Sequence, residues 1–499
     1  MHLYRDGKYP EAATEYQRVI DSGLNPAAGY AGLARVYLRQ NKVALAEQAA
    51  TNALQKGPNL ASSHVVMGEV LFRQGKIEEA GEEFRKLVLA NTSDARAYYG
   101  LSRVLRASSY YNKAQILLDR AHELDAKDPE IERAWTRTQS LEDQIKNEEA
   151  RLADANLSAD AKKEIENRLT VMKALLESGK SCRLVAPVKS TETPFRPLME
   201  DAYRSFGYGL PVNINGASST LQFDTGASGM LISQAIADKA GIKKVADSTY
   251  YGIGDNGEQK GWIGRADRIQ IGQLVFENCF VEVADRPMDS AADGLLGADV
   301  FSSFLVELKF PDQKLVLSQL PDDPAQSAVP ASLTTTAPNS QHHHDRYIAP
   351  DMKNYTGVYR FGHELLVPTR INKEGPYLFL LDTGASVDNL DLDIARKFTK
   401  VDKPGTYEIK GVSGKVRDVY RAQEVHLTFG GFNQDLQAAF AFNLESLNEG
   451  SRPDIAGIMG FQTLRILNLK LDYRDGLVFF GFDEARSHHD NSHPYTGEN

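Results

Sequence analysis

Cysteine, tryptophan and long apolar runs are all scarce in this chain. The two cysteines, Cys182 and Cys279, allow one bridge at most. A bridge and two unpaired structural thiols fit that count equally, so cysteine usage leaves the redox compartment open. Cys279 falls in an apolar stretch and reads as a buried thiol rather than a reactive one. No apolar run is long enough to span a bilayer. Met1-His2-Leu3-Tyr4-Arg5-Asp6 is not followed by the apolar core of a secretion signal. Basic residues are outnumbered, 57 against 67 acidic, for a formal charge of −10. That argues against non-specific nucleic-acid binding, which needs concentrated Lys and Arg. What is present is ordinary globular material: 499 residues, 42% hydrophobic, enough for about three domains with sizeable cores.

Self-similarity comes first along the chain. Ala12, Ala46, Ala80 and Ala114 stand 34 residues apart, as do Leu33, Met67 and Leu101, and Tyr37, Leu71 and Leu105. A turn precedes each alanine: Asp6-Gly7-Lys8, Gln40-Asn41-Lys42, Gln74-Gly75-Lys76 and Ser108-Ser109-Tyr110. Small and large apolar residues alternate at helical spacing between the turns. Residues 1–150 resemble tetratricopeptide (TPR) repeats, helix–turn–helix units of this period whose small residues mark close helix contacts. First helices are expected near Ala27, Ala61 and Ala95. The unit ending at Ser22 has only Met1–Arg5 of its first helix, so an upstream segment is expected, with a weak lean to an exported or periplasmic protein. Residues 151–181 stay helical but become heavily charged, and read as a helical connector with a solvated face.

From Cys182 the pattern shifts to short alternating strands with Gly turns. One stretch occurs twice. Phe223-Asp224-Thr225-Gly226-Ala227-Ser228 follows the apolar strand Ser219–Phe223, and Leu381-Asp382-Thr383-Gly384-Ala385-Ser386 follows Tyr377–Leu381. Both are preceded by a further strand and followed by a short helix, Gln234–Ala240 and Asp393–Thr399. A Gly-rich hairpin comes next in each copy, Tyr250-Tyr251-Gly252-Ile253-Gly254-Asp255-Asn256-Gly257 and Tyr407-Glu408-Ile409-Lys410-Gly411-Val412-Ser413-Gly414. Gly294-Leu295-Leu296-Gly297 and Gly457-Ile458-Met459-Gly460 then close on Gly297 and Gly460, 73 and 78 residues after the respective aspartates. A carboxylate at the end of a buried strand is costly to ionise, and two held face to face share a proton.

These markers resemble the retropepsin-like aspartic proteases, with two mainly-β lobes in one chain, 182–320 and 350–484. The apolar lead-in is complete in lobe two (Leu380-Leu381) and partial in lobe one (Gln222-Phe223). The resemblance implies that Asp224 and Asp382 form one dyad holding a nucleophilic water, one as base and one as acid, with neither role assigned. It implies that Thr225 and Thr383 lock the loops across the lobes. Gly226 and Gly384 would bring N–H groups to the carboxylates, and Ser228 and Ser386 would bond their outer oxygens. Gly252, Gly254, Gly411 and Gly414 would belong to flaps, with Tyr250 or Tyr251 closing over substrate. The expected function is an endopeptidase acting on a polypeptide, with no cofactor and no metal, and with the repeats recruiting substrate or an adaptor in their groove.

One departure favours a rival, a non-catalytic peptide-binding scaffold with a degenerate cleft. Lobe one continues Gly229-Met230-Leu231-Ile232-Ser233, whereas lobe two continues Val387-Asp388-Asn389-Leu390-Asp391. Asp388 would either raise the dyad's proton affinity or point outward. His342-His343-His344 sits in a stretch rich in Pro, Ser, Thr and Ala, residues 321–349, read as a disordered solvated linker. Residues 485–499, with His488, His489 and His493, read as a polar tail. Trp262 reads as packing rather than substrate contact.

Overall fold

The computed structural model describes residues 2–91, 93–154, 157–178, 182–201, 205–285, 292–324, 344–403, 409–448 and 450–482. The N-terminal part is a stack of antiparallel helices: α1 (His2–Arg5), α2 (Tyr9–Asp21), α3 (Pro26–Arg39), α4 (Val43–Lys56), α5 (Ala61–Arg73), α6 (Ile77–Leu89), α7 (Ala95–Ala107), α8 (Tyr111–Asp125) and α9 (Pro129–Thr136). The alanines of the 34-residue period, Ala12, Ala46, Ala80 and Ala114, are all buried where helices meet. Pro at the first turn starts α2, α3 and α9, and the Asn25 and Asp128 side chains accept from the first free N–H groups of α3 and α9. Helices α10 (Leu141–Leu152) and α11 (Ala159–Ser178) pack on each other around Ile145, Ile165, Leu169 and Met172. They form one hairpin, so the expected boundary at residue 150 falls inside α10.

Two mainly-β lobes follow. In lobe one the strand Ala217–Asp224 pairs antiparallel with Ser205–Ile214 and parallel with Gly294–Gly297, which sets Gly297 beside Asp224. In lobe two Glu374–Leu381 pairs antiparallel with Glu364–Ile371 and parallel with Gly457–Met459. The same local order in each lobe carries an aspartate out of the sheet at the same corner. A third sheet joins the lobes. Phe304–Lys309 of lobe one pairs with Asn468–Asp472 of lobe two, and three strands from each side complete six. The two lobe cores and this sheet form one apolar cluster, so pairing of the lobes is part of folding. Cys182 and Cys279 are joined as a disulfide, tying Arg183–Leu184 to the strand Leu274–Ala284.

The histidine stretch needs a correction. His342 and His343 lie outside the described residues, but His344 is 3% exposed. Its ring packs on Tyr111 and its Nε2 meets the Arg474 carbonyl at 2.8 Å. Tyr111 N–H donates to the His344 carbonyl at 3.0 Å. Residues 344–349 are therefore a packed tie between the α7–α8 turn and the turn at Arg474-Asp475, not solvated linker. At the other end of the expected linker Asp323 is also buried and the Pro321 carbonyl accepts from Arg474 Nη2 at 2.9 Å; residues 325–343, and the tail from 483, lie outside the described residues.

Candidate active site

Each aspartate leaves its strand into a tight loop whose amides fold back on it. Gly226 N–H donates to Asp224 Oδ1 at 2.7 Å. Gly384 and Ala385 N–H donate to Asp382 Oδ1 at 2.8 and 2.9 Å. The loops meet across the lobes. A β-carbon on Gly226 would lie 2.7 Å from Asp382 Cγ, and one on Gly384 would lie 2.3 Å from Asp224 Cγ. Glycine is the residue type that lets each loop touch the other lobe's carboxylate. Both aspartates are buried. Burial raises the proton affinity of each, and for Asp224 the nearby Asp382 carboxylate raises it further. The pair holds a proton well above the usual carboxylate range and titrates as a unit.

The threonines interlock beneath the carboxylates. Thr225 Oγ1 donates to the Leu381 carbonyl at 2.6 Å and accepts from Thr383 N–H at 3.0 Å. Thr383 Oγ1 donates to the Phe223 carbonyl at 3.1 Å and accepts from Thr225 N–H at 3.1 Å. Four buried bonds thus cross the lobe boundary directly beside Asp224 and Asp382.

The serines behave differently from expectation. Ser228 Oγ donates to Asp299 Oδ2 at 3.1 Å, and Gly229 N–H donates to Asp299 Oδ1 at 2.9 Å. Ser386 is exposed, and its backbone carbonyl accepts from Gln462 N–H at 3.2 Å. Ser228 thus braces its loop through Asp299, and the Ser386 segment is held through its backbone carbonyl. Asp388 takes neither expected position. It is buried and accepts from Gly460 N–H at 2.9 Å and Thr463 Oγ1 at 2.7 Å. Asp299, from the short helix Ala298–Phe301 after the later Gly, and Asp388, from the loop after Asp382, make the same kind of tie in opposite directions: each joins an aspartate-bearing loop to the segment at the later Gly. Burial pushes the Asp388 pKa up to about 6.

The two Gly-rich hairpins touch at their tips. Gly252 N–H donates to Ser413 Oγ at 3.0 Å, Ser413 N–H to the Ile253 carbonyl at 3.0 Å, and Asn256 N–H to the Ser413 carbonyl at 3.0 Å. A β-carbon on Gly254 or Gly411 would strike the facing backbone. A β-carbon on Gly414, which has φ +94°, would strike the Asn256 side chain. Val412 packs with Leu231, Leu295 and Tyr250 of lobe one. Tyr250 is half-buried there, whereas Tyr251 is 74% exposed. Tyr407 and Glu408 lie outside the described residues. Trp262 is buried and its Nε1 donates to Gln234 at 3.0 Å.

Four residues near the dyad carried no motif. Gln222 Nε2 donates to the Gly384 carbonyl at 3.1 Å, and His363 Nε2 bonds the Gly226 carbonyl at 3.1 Å. Glu364 is buried and paired with Arg452 through both carboxylate oxygens, Nη1 to Oε1 at 3.1 Å and Nη2 to Oε2. A signal existed for Gln222, the polar residue in an otherwise apolar lead-in. For His363, Glu364 and Arg452 the sequence carries none.

Comparison with known proteins agrees with this division. Residues 210–300 match the family described as aspartyl protease, and residues 1–61 and 65–129 match the tetratricopeptide repeat. The protease match falls on lobe one. The chain thus joins TPR repeats to an aspartyl-protease-type domain with an aspartate-bearing second lobe. DnaJ homolog subfamily C member 3 of Homo sapiens is 24% identical over 180 residues, 33% of this chain. The chain spans only 35% of that relative's length. The aspartic proteinase from Irpex lacteus aligns over 59% of this chain and 98% of its own, at 14% identity and a TM-score of 0.34.

Proposed function

We propose that the chain is an aspartic endopeptidase in which Asp224 and Asp382, one from each lobe, activate a water for attack on a peptide carbonyl. The observation that carries this reading is the reciprocal approach of Gly226 to Asp382 and Gly384 to Asp224. It brings two buried carboxylates with raised proton affinity together in one chain. The ionised member takes a proton from the water as it attacks. The protonated member donates to the carbonyl oxygen, giving a tetrahedral intermediate whose collapse returns a proton to the leaving amine. The flaps would open to admit an extended chain and close on its backbone. TPR repeats are protein-interaction modules, and the surfaces that lobe two leaves free are where a substrate or adaptor would be held. Asp388, the residue that favoured a degenerate scaffold, is fully used in bracing its loop, which removes that reading's main support.

The test is cleavage of a mixed peptide library across roughly pH 3 to 8, read by mass spectrometry, for the wild type, Asp224→Asn and Asp382→Asn. Cutting by the wild type that each single change abolishes is the expected result. A folded wild type that cuts at no pH would overturn the proposal.

A further inference from the structure

The repeat stack does not hang beside the protease on a tether. Its α5–α6 turn packs directly on the strand that carries Asp382: a β-carbon on Gly75 would lie 3.0 Å from Leu378 Cγ. Phe72 at the end of α5 meets Phe361 edge-on, with ring centroids 6.1 Å apart. Val65, Phe72, Ala97 and Val104 of the repeats share one buried cluster with Leu366, Leu378 and Leu380 of lobe two. That is an interior-like contact rather than a loose domain surface.

At the edge of this contact stands Arg73, the last residue of α5 and 3% exposed. Its Nη1 donates to the carbonyls of Gly450 and Arg452 at 3.2 and 2.7 Å, and its Nη2 bonds the Asn448 carbonyl. It also pairs with Asp454 at 3.0 Å, while Asp454 N–H donates back to the Arg73 carbonyl at 2.7 Å. Arg103 of α7 bonds the Ser451 carbonyl. The repeats thus grip the backbone of lobe two's loop on both sides of Arg452. The Arg452 guanidinium in turn holds Glu364, and the neighbouring His363 reaches across the lobes to the Gly226 carbonyl beside the dyad.

Lobe one has no carboxylate at the matching position. Gln222 and Leu380 both stand two residues before an aspartate, and their strand partners are Gly209 and Leu366. By that register Gly207 occupies in lobe one the place of Glu364 in lobe two. The acid and its arginine are features of the lobe that the repeats touch.

We infer that the repeat domain is a built-in part of the active site, in which Arg73 fixes the loop at 450–454 and Arg452 acts through Glu364 as a positioning residue for the catalytic dyad. This rests on Asp224 and Asp382 being the dyad. The titratable and cationic groups set against Glu364 are Arg452, Asp382 and, in the chain, His363; Arg73 and Asp454 lie behind Arg452. The Glu364 charge raises the proton affinity of Asp382, and the Arg452 guanidinium offsets that charge. Lys in place of Arg would keep the charge but lose the two-pronged hold on the carboxylate.

The experiment uses the full chain and compares Glu364→Gln, Arg452→Lys, Arg452→Met and Arg73→Met. Removing the Glu364 charge lowers the dyad's upper apparent pKa, so the alkaline limb of kcat/KM should move to lower pH by about half a unit or more. Arg452→Met leaves Glu364 unbalanced and should move that limb the other way, with kcat falling more than KM rises. Arg452→Lys should restore the pH limb but only part of kcat. Arg73→Met should reproduce the kcat loss from within the repeat domain.

A purely structural junction would lower Tm in these variants and leave the pH profile of the remaining activity unchanged, and that result would overturn the inference. A second readout separates this failure from failure of the protease reading. The shift of Tm with pH caused by Glu364→Gln should vanish in an Asp382→Asn background if the two charges are coupled. Coupling without any cleavage would sink the activity and keep only the link from Arg452 through Glu364 to the aspartate pair. Cleavage without coupling would do the reverse.

Discussion

Gly384 of lobe two lies against the carboxylate of Asp224 in lobe one so closely that a β-carbon there would fall 2.3 Å from Asp224 Cγ. Gly384→Ala must push that carboxylate off its partner. The fold stands on cores elsewhere, so the chain should remain folded while the rate collapses. The expected loss is about 100-fold or more in kcat, measured on whichever peptide the wild type cuts best. Wild-type turnover in a folded Gly384→Ala protein would show that this contact does not set the dyad.

The crossed threonines make a separate prediction. Thr383→Val keeps the shape of the side chain and removes its hydroxyl, so the Phe223 carbonyl and the Thr225 N–H both lose a buried partner. Each such loss costs about 1–3 kcal/mol. Urea unfolding should therefore show a midpoint well below wild type, with activity lost at denaturant concentrations the wild type tolerates. An unchanged midpoint would mean that the lobes are held by the shared sheet alone.

Stability should fall as pH rises from weakly acid to neutral. Asp224, Asp382, Asp388 and Asp472 are buried carboxyls and Asp454 a half-buried one, and desolvation raises the proton affinity of each, to about 6 for Asp388 and Asp454 and about 7 for Asp472. The ordinary value is 3.8. The folded chain keeps protons that the unfolded chain releases, so stability is full below pH 3.8 for these groups and declines up to about 7. Each group contributes up to about 1.4 kcal/mol per pH unit in that window. Glu69 and Glu83 shift the other way, and their contribution is lost only at more acid pH. Tm should therefore be higher near pH 5 than near pH 7.5, a difference that Asp472→Asn should reduce. A Tm that rises with pH across this range would contradict the burial of these acids.

The Cys182–Cys279 bridge closes a loop with 97 residues of sequence separation around most of lobe one. Its removal by Cys279→Ser should cost about 2–4 kcal/mol, mainly by loosening the unfolded chain. Calorimetry of wild type with and without reductant should show the same drop in Tm, and the variant should no longer respond to reductant.

Much of this architecture could be read along the chain. The 34-residue period and its turns put helix starts near Ala27, Ala61 and Ala95, and the helices begin at Pro26, Ala61 and Ala95. The duplicated aspartate loops, the strands leading into them and the short helices after them also fall where local pattern puts them. Those features are written within windows of a few tens of residues, because helix spacing, strand alternation and turn chemistry are local. The duplication supplied a second reading of each landmark.

What the chain could not disclose is which side chains meet across its separate cores. Ser228 bonds Asp299, not Asp224, and Asp388 braces Gly460 instead of facing Asp224 and Asp382. His344, in a stretch whose composition reads as linker, is buried between the repeats and the lobes. His363 reaches Gly226 over 137 residues of sequence, and Arg73 reaches Arg452 over 379. Such contacts depend on how three folded bodies pack, and no local property of a histidine or an arginine encodes its distant partner. The sequence by itself determined the repeats, the two lobes and the residues at the tips of their loops. Only the tertiary structure decided that the repeats are gripped onto lobe two and that their grip leads, through Arg452 and Glu364, to the strand paired with the one that runs into Asp382.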